Sequence, residues 1–385
     1  MELLTALACA MGLLLVVGFV YVAAYFATAP TPAVVGEITS LVIYPLKSAK
    51  GIQVKSVLLN ERGFAFDRQW MVVDERGNFL SQRRAPRLAL VRVELPASED
   101  DALVLSAPGA LPITVPTVRK SKDPRKVRCW DDHVPSVDQG DEAAKWFENV
   151  LGVEGCRLVR MADDAERQVS RKYAHKGSLT ALSDGFPVLL ANESSLSDLN
   201  ARLTERSHKA IPMDRFRPNL IVGASAAGGA AGGVSSGPEP WAEDKWSSIH
   251  VVGGPAESAV EFGVVKPCAR CKMPTINQQT GVPDRRGSSD PVVASEPKDM
   301  APEEMDEGGG PAAEAEPTAT LKTFRTGQIL GYKKPGWSGD VFFGQNVLFR
   351  PSAVGRVLRV GDAVVATPRR PAGWFARGVR GVDYW

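Results

Sequence analysis

The stretch Gln69-Trp70-Met71-Val72-Val73-Asp74-Glu75-Arg76-Gly77-Asn78-Phe79-Leu80 is an apolar run, a polar break and a second apolar start. Trp, Met and Val in succession suit a pleated, half-buried surface, and Asp74 to Asn78 supplies the turn, so the pattern predicts a β-hairpin. The same short-strand grain continues on both sides. Ile38, Leu41 and Ile43 lead into Tyr44-Pro45, and further strand-like runs follow at Leu88 to Leu95, Ala102 to Leu105 and Arg217 to Val222. Two more lie at Gly344 to Phe349 and Arg356 to Val365. Helical periodicity is scarce. Asp141 to Leu151 sets Trp146 and Leu151 near one face, and Asn192 to Arg206 carries the stripe Leu196, Leu199, Leu203 behind a cap at Asn192 or Ser194. Many short strands with few helices imply an α+β protein built on an antiparallel β-barrel.

Composition narrows the function. The chain has 385 residues, 44% of them hydrophobic, enough for a substantial core and two subdomains. Its net charge of +2 excludes a nucleic-acid binder that works by bulk charge. Five cysteines without regular spacing make no disulfide framework, so a reducing compartment is expected. No strand-anchored G-x-G-x-x-G is present to hold a nicotinamide or flavin. From Leu3 to Phe26 the chain is uncharged and rich in Leu, Ala and Val, with Tyr21 and Tyr25 near its end. About 24 residues at 1.5 Å each reach roughly 36 Å, the length of a membrane-spanning helix. The first basic residue after it is Lys47, which orients the globular part toward the cytosol. This gives an anchor and linker over 1–35, ending in Ala29-Pro30-Thr31-Pro32. Ala224 to Pro240 and Pro283 to Thr320 read as a flexible and a disordered insertion, and the basic, aromatic tail after Arg369 as packing on the body.

The candidate for chemistry is Lys266-Pro267-Cys268-Ala269-Arg270-Cys271-Lys272-Met273-Pro274-Thr275, which holds the one closely spaced cysteine pair. Neighbouring cations favour a thiolate, the soft ligand of a thiophilic metal, and Lys266, Arg270 and Lys272 supply them. The spacing alone leaves four readings open. They are a structural zinc site, a dithiol redox site, two small apolar fillers, or one thiolate ligand beside a cysteine that binds nothing. The scattered histidines disfavour zinc, and Pro274 disfavours the helix a dithiol site wants.

Several stretches, in order along the chain, resemble one family. They are Tyr44-Pro45-Leu46-Lys47-Ser48 with Gly51, Asp67-Arg68-Gln69-Trp70, Gln82-Arg83-Arg84-Ala85-Pro86-Arg87-Leu88 and Ser195-Leu196-Ser197-Asp198-Leu199-Asn200. Phe216-Arg217-Pro218-Asn219, Glu243-Asp244-Lys245-Trp246, Cys268-Ala269-Arg270-Cys271 and Phe343-Gly344-Gln345-Asn346 complete the set. The sequence resembles the MOSC-domain proteins of the amidoxime-reducing type, membrane-anchored molybdenum enzymes of mitochondria. The resemblance implies an N-terminal MOSC β-barrel domain over 36–165, a MOSC domain over 166–368 and a tail over 369–385. It implies a molybdenum-molybdopterin cofactor whose metal is ligated by Cys271, with Cys268 structural. Lys47, Ser48, Arg68, Arg217, Ala269, Arg270 and Asn346 would contact the pterin and its phosphate, and Gly185, Phe186 and Asn219 are weaker candidates. The implied activity is reduction of small N-hydroxylated substrates such as amidoximes and hydroxylamines. Electrons would come from a b5-type cytochrome and its NADH-dependent flavin reductase on the same membrane, the mitochondrial outer membrane or alternatively the endoplasmic reticulum. A rival within the family is a persulfide carrier in cofactor maturation, where MOSC domains are fused to a pyridoxal phosphate sulfurase; no such partner domain is read in this chain. A membrane-tethered interaction protein without catalysis is the third reading.

Overall fold

The computed structural model describes residues 31–95, 102–117, 124–225, 237–253, 259–284 and 315–369. The apolar segment Leu3 to Phe26, most of both insertions and the tail beyond Arg369 lie outside the described residues. Among the described residues no helix is long and apolar enough to cross a membrane.

The first part of the chain is a series of short strands. They are β1 (Ala33–Ile43), β2 (Ile52–Val54), β3 (Ser56–Asn60), β4 (Gly63–Phe64), β5 (Trp70–Val73) and β6 (Arg92–Glu94). Next come β7 (Ala102–Ala107), β8 (Ala110–Pro116), β9 (Arg125–Cys129), β10 (Asp132–Asp138), helix α1 (Asp141–Leu151) and β11 (Arg157–Met161). The second part runs β12 (Val188–Asn192), helix α2 (Glu193–Glu205), β13 (Leu220–Gly223), β14 (Trp246–Val252) and β15 (Val260–Arg270). It ends with helix α3 (Thr318–Lys322), β16 (Val341–Phe349), β17 (Val357–Arg359) and β18 (Ala363–Pro368).

Seven strands close into a barrel in the order β13-β12-β16-β15-β14-β18-β1, sealed by pairing of β1 with β13. The pairings are antiparallel except β12 with β13, which run parallel. A parallel pair needs a crossover, and α2 supplies it. Asn192 caps that helix by accepting from the Ser194 N–H at 2.9 Å, and Leu199 and Leu203 are fully buried against the barrel wall. Strand β1 shows why both faces of the wall matter. Ile38, Leu41 and Ile43 fill the barrel interior. Val42 and Tyr44 point outward into a layer formed with Leu199, Leu203, Phe216 and Phe343. A second body holds the sheet β5-β11-β10-β9, the β6-β7-β8 meander and α1, with cores around Trp70, Leu88 and Phe147 and around Met71 and Cys129. The hairpin of the opening stretch is present, with the Leu80 N–H donating to the Val72 carbonyl at 2.8 Å and Asp74 Oδ1 accepting from the Asn78 N–H at 2.9 Å.

Three sequence expectations are corrected. Leu88 to Leu95 is not one strand: Pro86–Leu90 is a 3₁₀ turn, set by Pro86 at its start, before β6. Arg217 to Asn219 is not strand, because Arg217 has φ 56° and β13 begins only at Leu220. Arg356 to Val365 is two strands broken at Gly361 (φ 93°), with β17 pairing β3 and β18 entering the barrel. The ends of the 283–320 insertion are also ordered. Pro283 bridges to Ile276, Asp284 pairs with Arg215 at 2.9 Å, and α3 starts at Thr318.

Candidate functional site

Beyond β1 the chain turns inward. The Lys47 N–H donates to the Trp70 carbonyl at 2.8 Å, and Ser48 turns the backbone with φ 68°. Lys47 and Ser48 are each 4% exposed. Arg68 (φ 48°) and Arg217 (φ 56°) come from segments 149 residues apart. Their guanidiniums lie 4.3 and 4.2 Å from the ring of Tyr44, one on each contact. Each guanidinium gains from the ring's π-system. Burial pushes the Tyr44 hydroxyl up to about 12, so it stays neutral and donates to the Pro218 carbonyl at 3.1 Å.

Asp67 underlies this arrangement. It is 5% exposed and accepts from the Tyr44 N–H (2.8 Å), Arg68 Nη1 (2.6 Å) and Asn219 Nδ2 (3.0 Å). Burial raises its carboxyl and the Arg68 guanidinium works against that rise. Asn219 spends its other bonds on the Val42 carbonyl (3.1 Å), Arg68 Nη1 (2.9 Å) and the Leu189 N–H (3.2 Å). It is a bracket for the arginines more than a free donor. Arg217 differs. Nη1 donates to the Ala49 carbonyl at 2.6 Å, while Nη2 is buried without a protein partner. Burial pulls its pKa down to about 10, so the group remains charged at neutral pH. An orphaned guanidinium N–H is costly unless a ligand satisfies it.

Opposite these stands the end of β15, which pairs with β16 through irregularities near Val264/Lys266 and Pro267/Ala269. Such irregularities re-aim side chains at the rim of a barrel. Arg270 Nη1 donates to Cys268 Sγ at 3.0 Å and Nη2 to the Phe216 carbonyl at 2.9 Å, leaving Nε buried and unpartnered. Cys268 is half-buried, whereas Cys271, one residue past the strand, is exposed. Asn346 Nδ2 donates to the Lys266 carbonyl at 3.2 Å.

These pieces enclose one cavity of about 270 Å³. Lys47, Ser48, Arg68, Arg217, Ala269, Arg270, Cys271 and Asn346 all line it, as do Gly185, Phe186 and Asn219. Six cationic side chains face it (Lys47, Arg68, Arg83, Arg217, Lys266, Arg270) against the single carboxylate of Asp184. Asp184 binds Lys47 Nζ at 2.5 Å and accepts from Trp130 Nε1 at 3.1 Å. Its side chain is 67% exposed, so the rise that desolvation would bring is small, and the Lys47 ammonium and the indole N–H hold its carboxyl well below the usual carboxylate range. Among the described residues no three His, Cys, Asp or Glu side chains converge as a metal site. The cavity is suited to a compact anionic group with a soft-metal end.

Sequence reading missed Asp184, Trp130, Ser183 and Phe216, which line the same cavity. It also missed that Ser48, Arg68, Trp130 and Arg217 share left-handed backbone. That conformation is uncommon for such residues and clusters where a site is held in a fixed shape.

Residues 35–154 match the family described as MOSC N-terminal beta barrel domain, and residues 178–365 match the MOSC domain. The mitochondrial amidoxime-reducing component 1 of Mus musculus is 32% identical over 261 residues, covering 66% of this chain and 69% of that protein. The mitochondrial amidoxime reducing component 2 of Rattus norvegicus is 34% identical over 265 residues, covering 66% and 70%. The molybdenum cofactor sulfurase of Homo sapiens is 29% identical over 260 residues, covering 63% of this chain but 27% of the sulfurase.

Proposed function

The chain belongs to the MOSC family, with a molybdenum-cofactor-related function, and from that premise we propose that it is a molybdenum-dependent reductase of N-hydroxylated compounds. The observation that carries this reading is the convergence of an exposed Cys271 with buried, partly unpartnered guanidiniums on one cavity. The donor set fits molybdopterin. Cys271 would take the metal, and Lys47, Ser48 and the free N–H groups of Arg217 and Arg270 would take the phosphate, with Arg68 held beside them by Asp67. Charge-assisted bonds from planar guanidiniums are the strong way to hold a phosphate away from water.

When bound, the cofactor supplies two-electron chemistry at molybdenum. The residues around it set the conditions. The ion pair with Asp184 holds Lys47 Nζ in place at the cavity wall. Lys266, which lines the cavity, lies within 5.4 to 5.8 Å of the Tyr173, Phe186 and Trp337 rings, so its Nζ is held against an aromatic wall. Amidoximes and hydroxylamines are the substrate class. A b5-type cytochrome and its NADH-dependent flavin reductase are the electron source. Residues 1–35 would anchor the chain to a membrane, and the names of the relatives favour a mitochondrial one.

The test is metal analysis of the full chain made in a host that produces the molybdenum pterin, with Cys271→Ala and Cys268→Ala beside it. Near-stoichiometric molybdenum in the wild type, lost in Cys271→Ala and largely kept in Cys268→Ala, is the expected result. Equal loss in both variants would sink the single-thiolate assignment. No molybdenum, with a persulfide on Cys271, would favour the sulfur-carrier reading that the sulfurase similarity raises.

A further inference from the structure

Two glutamines stand behind the cofactor cavity without lining it. Gln82, which opens the Gln82 to Leu88 stretch, is fully buried, and Gln278, a short way past Cys271, is 4% exposed. They come from segments 196 residues apart.

Together they form a reciprocal amide pair. Gln82 Nε2 donates to Gln278 Oε1 at 2.8 Å, and Gln278 Nε2 donates to Gln82 Oε1 at 2.9 Å. Each amide sends its second N–H to a backbone carbonyl, Gln82 to Ser48 at 2.8 Å and Gln278 to Ile276 at 3.0 Å. Turning either amide over would set oxygen against oxygen, so the pair has one orientation. Removing either partner strands buried polar groups on the other.

What the pair joins gives it a role beyond packing. On one side lies the Ser48 turn. Its Ser48 carbonyl is held by Gln82, and the next carbonyl, of Ala49, accepts from Arg217 Nη1 at 2.6 Å. On the other side lies the segment that leaves β15 at Cys271. The Met273 N–H donates to Cys271 Sγ at 3.5 Å, the Thr275 N–H to the Lys272 carbonyl at 3.1 Å, and the Ile276 N–H to the Met273 carbonyl at 3.0 Å. Arg215 Nη1 fixes the Pro274 carbonyl at 3.0 Å. Each step from Cys271 to Gln278 is tied to the one before, so the position of Gln278 constrains that of Cys271.

We propose that Gln82 and Gln278 are positioning residues whose amide pair fixes the separation of Cys271 from the Ser48–Arg217 corner. That separation is the span a molybdopterin must fit between its metal and its phosphate. Residues that touch no ligand but hold those that do commonly govern its retention. The inference deepens the reading above and rests on it for the cofactor, whereas the tie between the two segments stands without it.

Hydrogen exchange on the cofactor-free full chain, read by mass spectrometry over 47–50 and 275–281, tests the tie. Gln278→Met keeps the length without the amide and should speed exchange about fivefold or more in 47–50 as well as in its own segment. Gln82→Met should do the same in 275–281, with β13 and β16 unchanged in both, which separates a loosened tie from a lost fold. In a host that makes the molybdenum pterin, bound molybdenum should fall about threefold or more in both variants. Gln279→Ala is the control. It removes the exposed bond from Lys50 Nζ at 3.0 Å, which joins the same two segments at the surface, and should leave exchange in 47–50 and molybdenum at wild-type levels. Where Gln82→Met does not fold, Gln278→Asn, which keeps the amide but shortens its reach, carries the test with the same expected outcome. Exchange confined to the mutated segment, molybdenum unchanged in both variants, or equal losses in Gln279→Ala would overturn the proposal. A wild type without molybdenum, with the effect across the two segments present, removes the reductase reading and leaves the tie. A molybdenum-loaded wild type without that effect removes the tie alone.

Discussion

Glu243 gives a sharp test of how burial controls this fold. It is fully buried where the segment before β14 meets α2. Ser195 Oγ lies 2.8 and 2.9 Å from its two oxygens, and Asn192 Nδ2 donates at 3.0 Å. Its neighbour Asp244 is engaged elsewhere, with Arg325 Nη1 at 2.6 Å and Gln345 Nε2 at 2.7 Å. Burial, and then the charge of Asp244, push the Glu243 carboxyl from 4.5 up to about 7. Below 4.5 the group is protonated whether the chain is folded or not. Between 4.5 and 7 the folded chain keeps a proton that the unfolded chain has lost, so stability falls as pH rises and levels off above about 7. At about 1.4 kcal/mol per tenfold change in proton affinity, the full effect is about 3 kcal/mol. Glu243→Gln keeps the shape, can still accept from Asn192 and can donate to Ser195, and cannot ionise. Urea unfolding of both proteins should show the variant more stable by up to about 3 kcal/mol at pH 8, the gap shrinking below about 1 kcal/mol at pH 5. Parallel pH curves, or a variant less stable at both pH values, would refute the reasoning.

Other outcomes follow from single contacts. Asp67→Ala strands the Tyr44 N–H, takes one of two acceptors from Asn219 Nδ2 and leaves the Arg68 guanidinium without its carboxylate, and should cost about 3–5 kcal/mol in urea unfolding. Asp67→Asn should cost clearly less, and similar losses in the two would place the effect outside this network. Gly344 has φ 77°, and a Cβ there would meet the Leu190 carbonyl oxygen at 2.7 Å. Gly344→Ala should lower stability by about 1–3 kcal/mol and reduce bound molybdenum by displacing Asn346, read by melting and metal analysis. An unchanged metal content would separate Asn346 from cofactor retention.

The helices and hairpins were legible because their signals are local. The leucine spacing of α2, its Asn192 cap and the turn at Asp74 to Asn78 each sit within a few residues. Barrel closure was not legible, since β1 joins β13 and β18 only through pairing across most of the chain. The site divides in the same way. Ordered motifs resembling a known family named a share of the residues that line the cavity, yet could not separate those with free donors from those spent on support. Arg217 keeps an unpartnered N–H while Asn219, two residues on, has none to spare for a ligand. Lys47 and Asp184, 137 residues apart, reveal their pairing only in three dimensions. Left-handed Arg, Ser and Trp give no compositional hint, because turn rules look for Gly and Asn.

Strand β1 also sets a height. Its eleven residues run from Ala33, paired with Ala366, to Ile43, paired with Ile52, just before the chain turns into the cavity at Tyr44 to Ser48. At about 3.3 Å per residue that is a rigid post of about 30–35 Å. Whatever holds the residues before Ala33, the chain enters the barrel at one end of this post and the cavity lies near the other. On the proposed reductase reading, a redox partner fastened to the same support would have to stand equally tall or carry a tether long enough to climb it. Reach, as well as surface complementarity, would then sort the partners that can deliver electrons here.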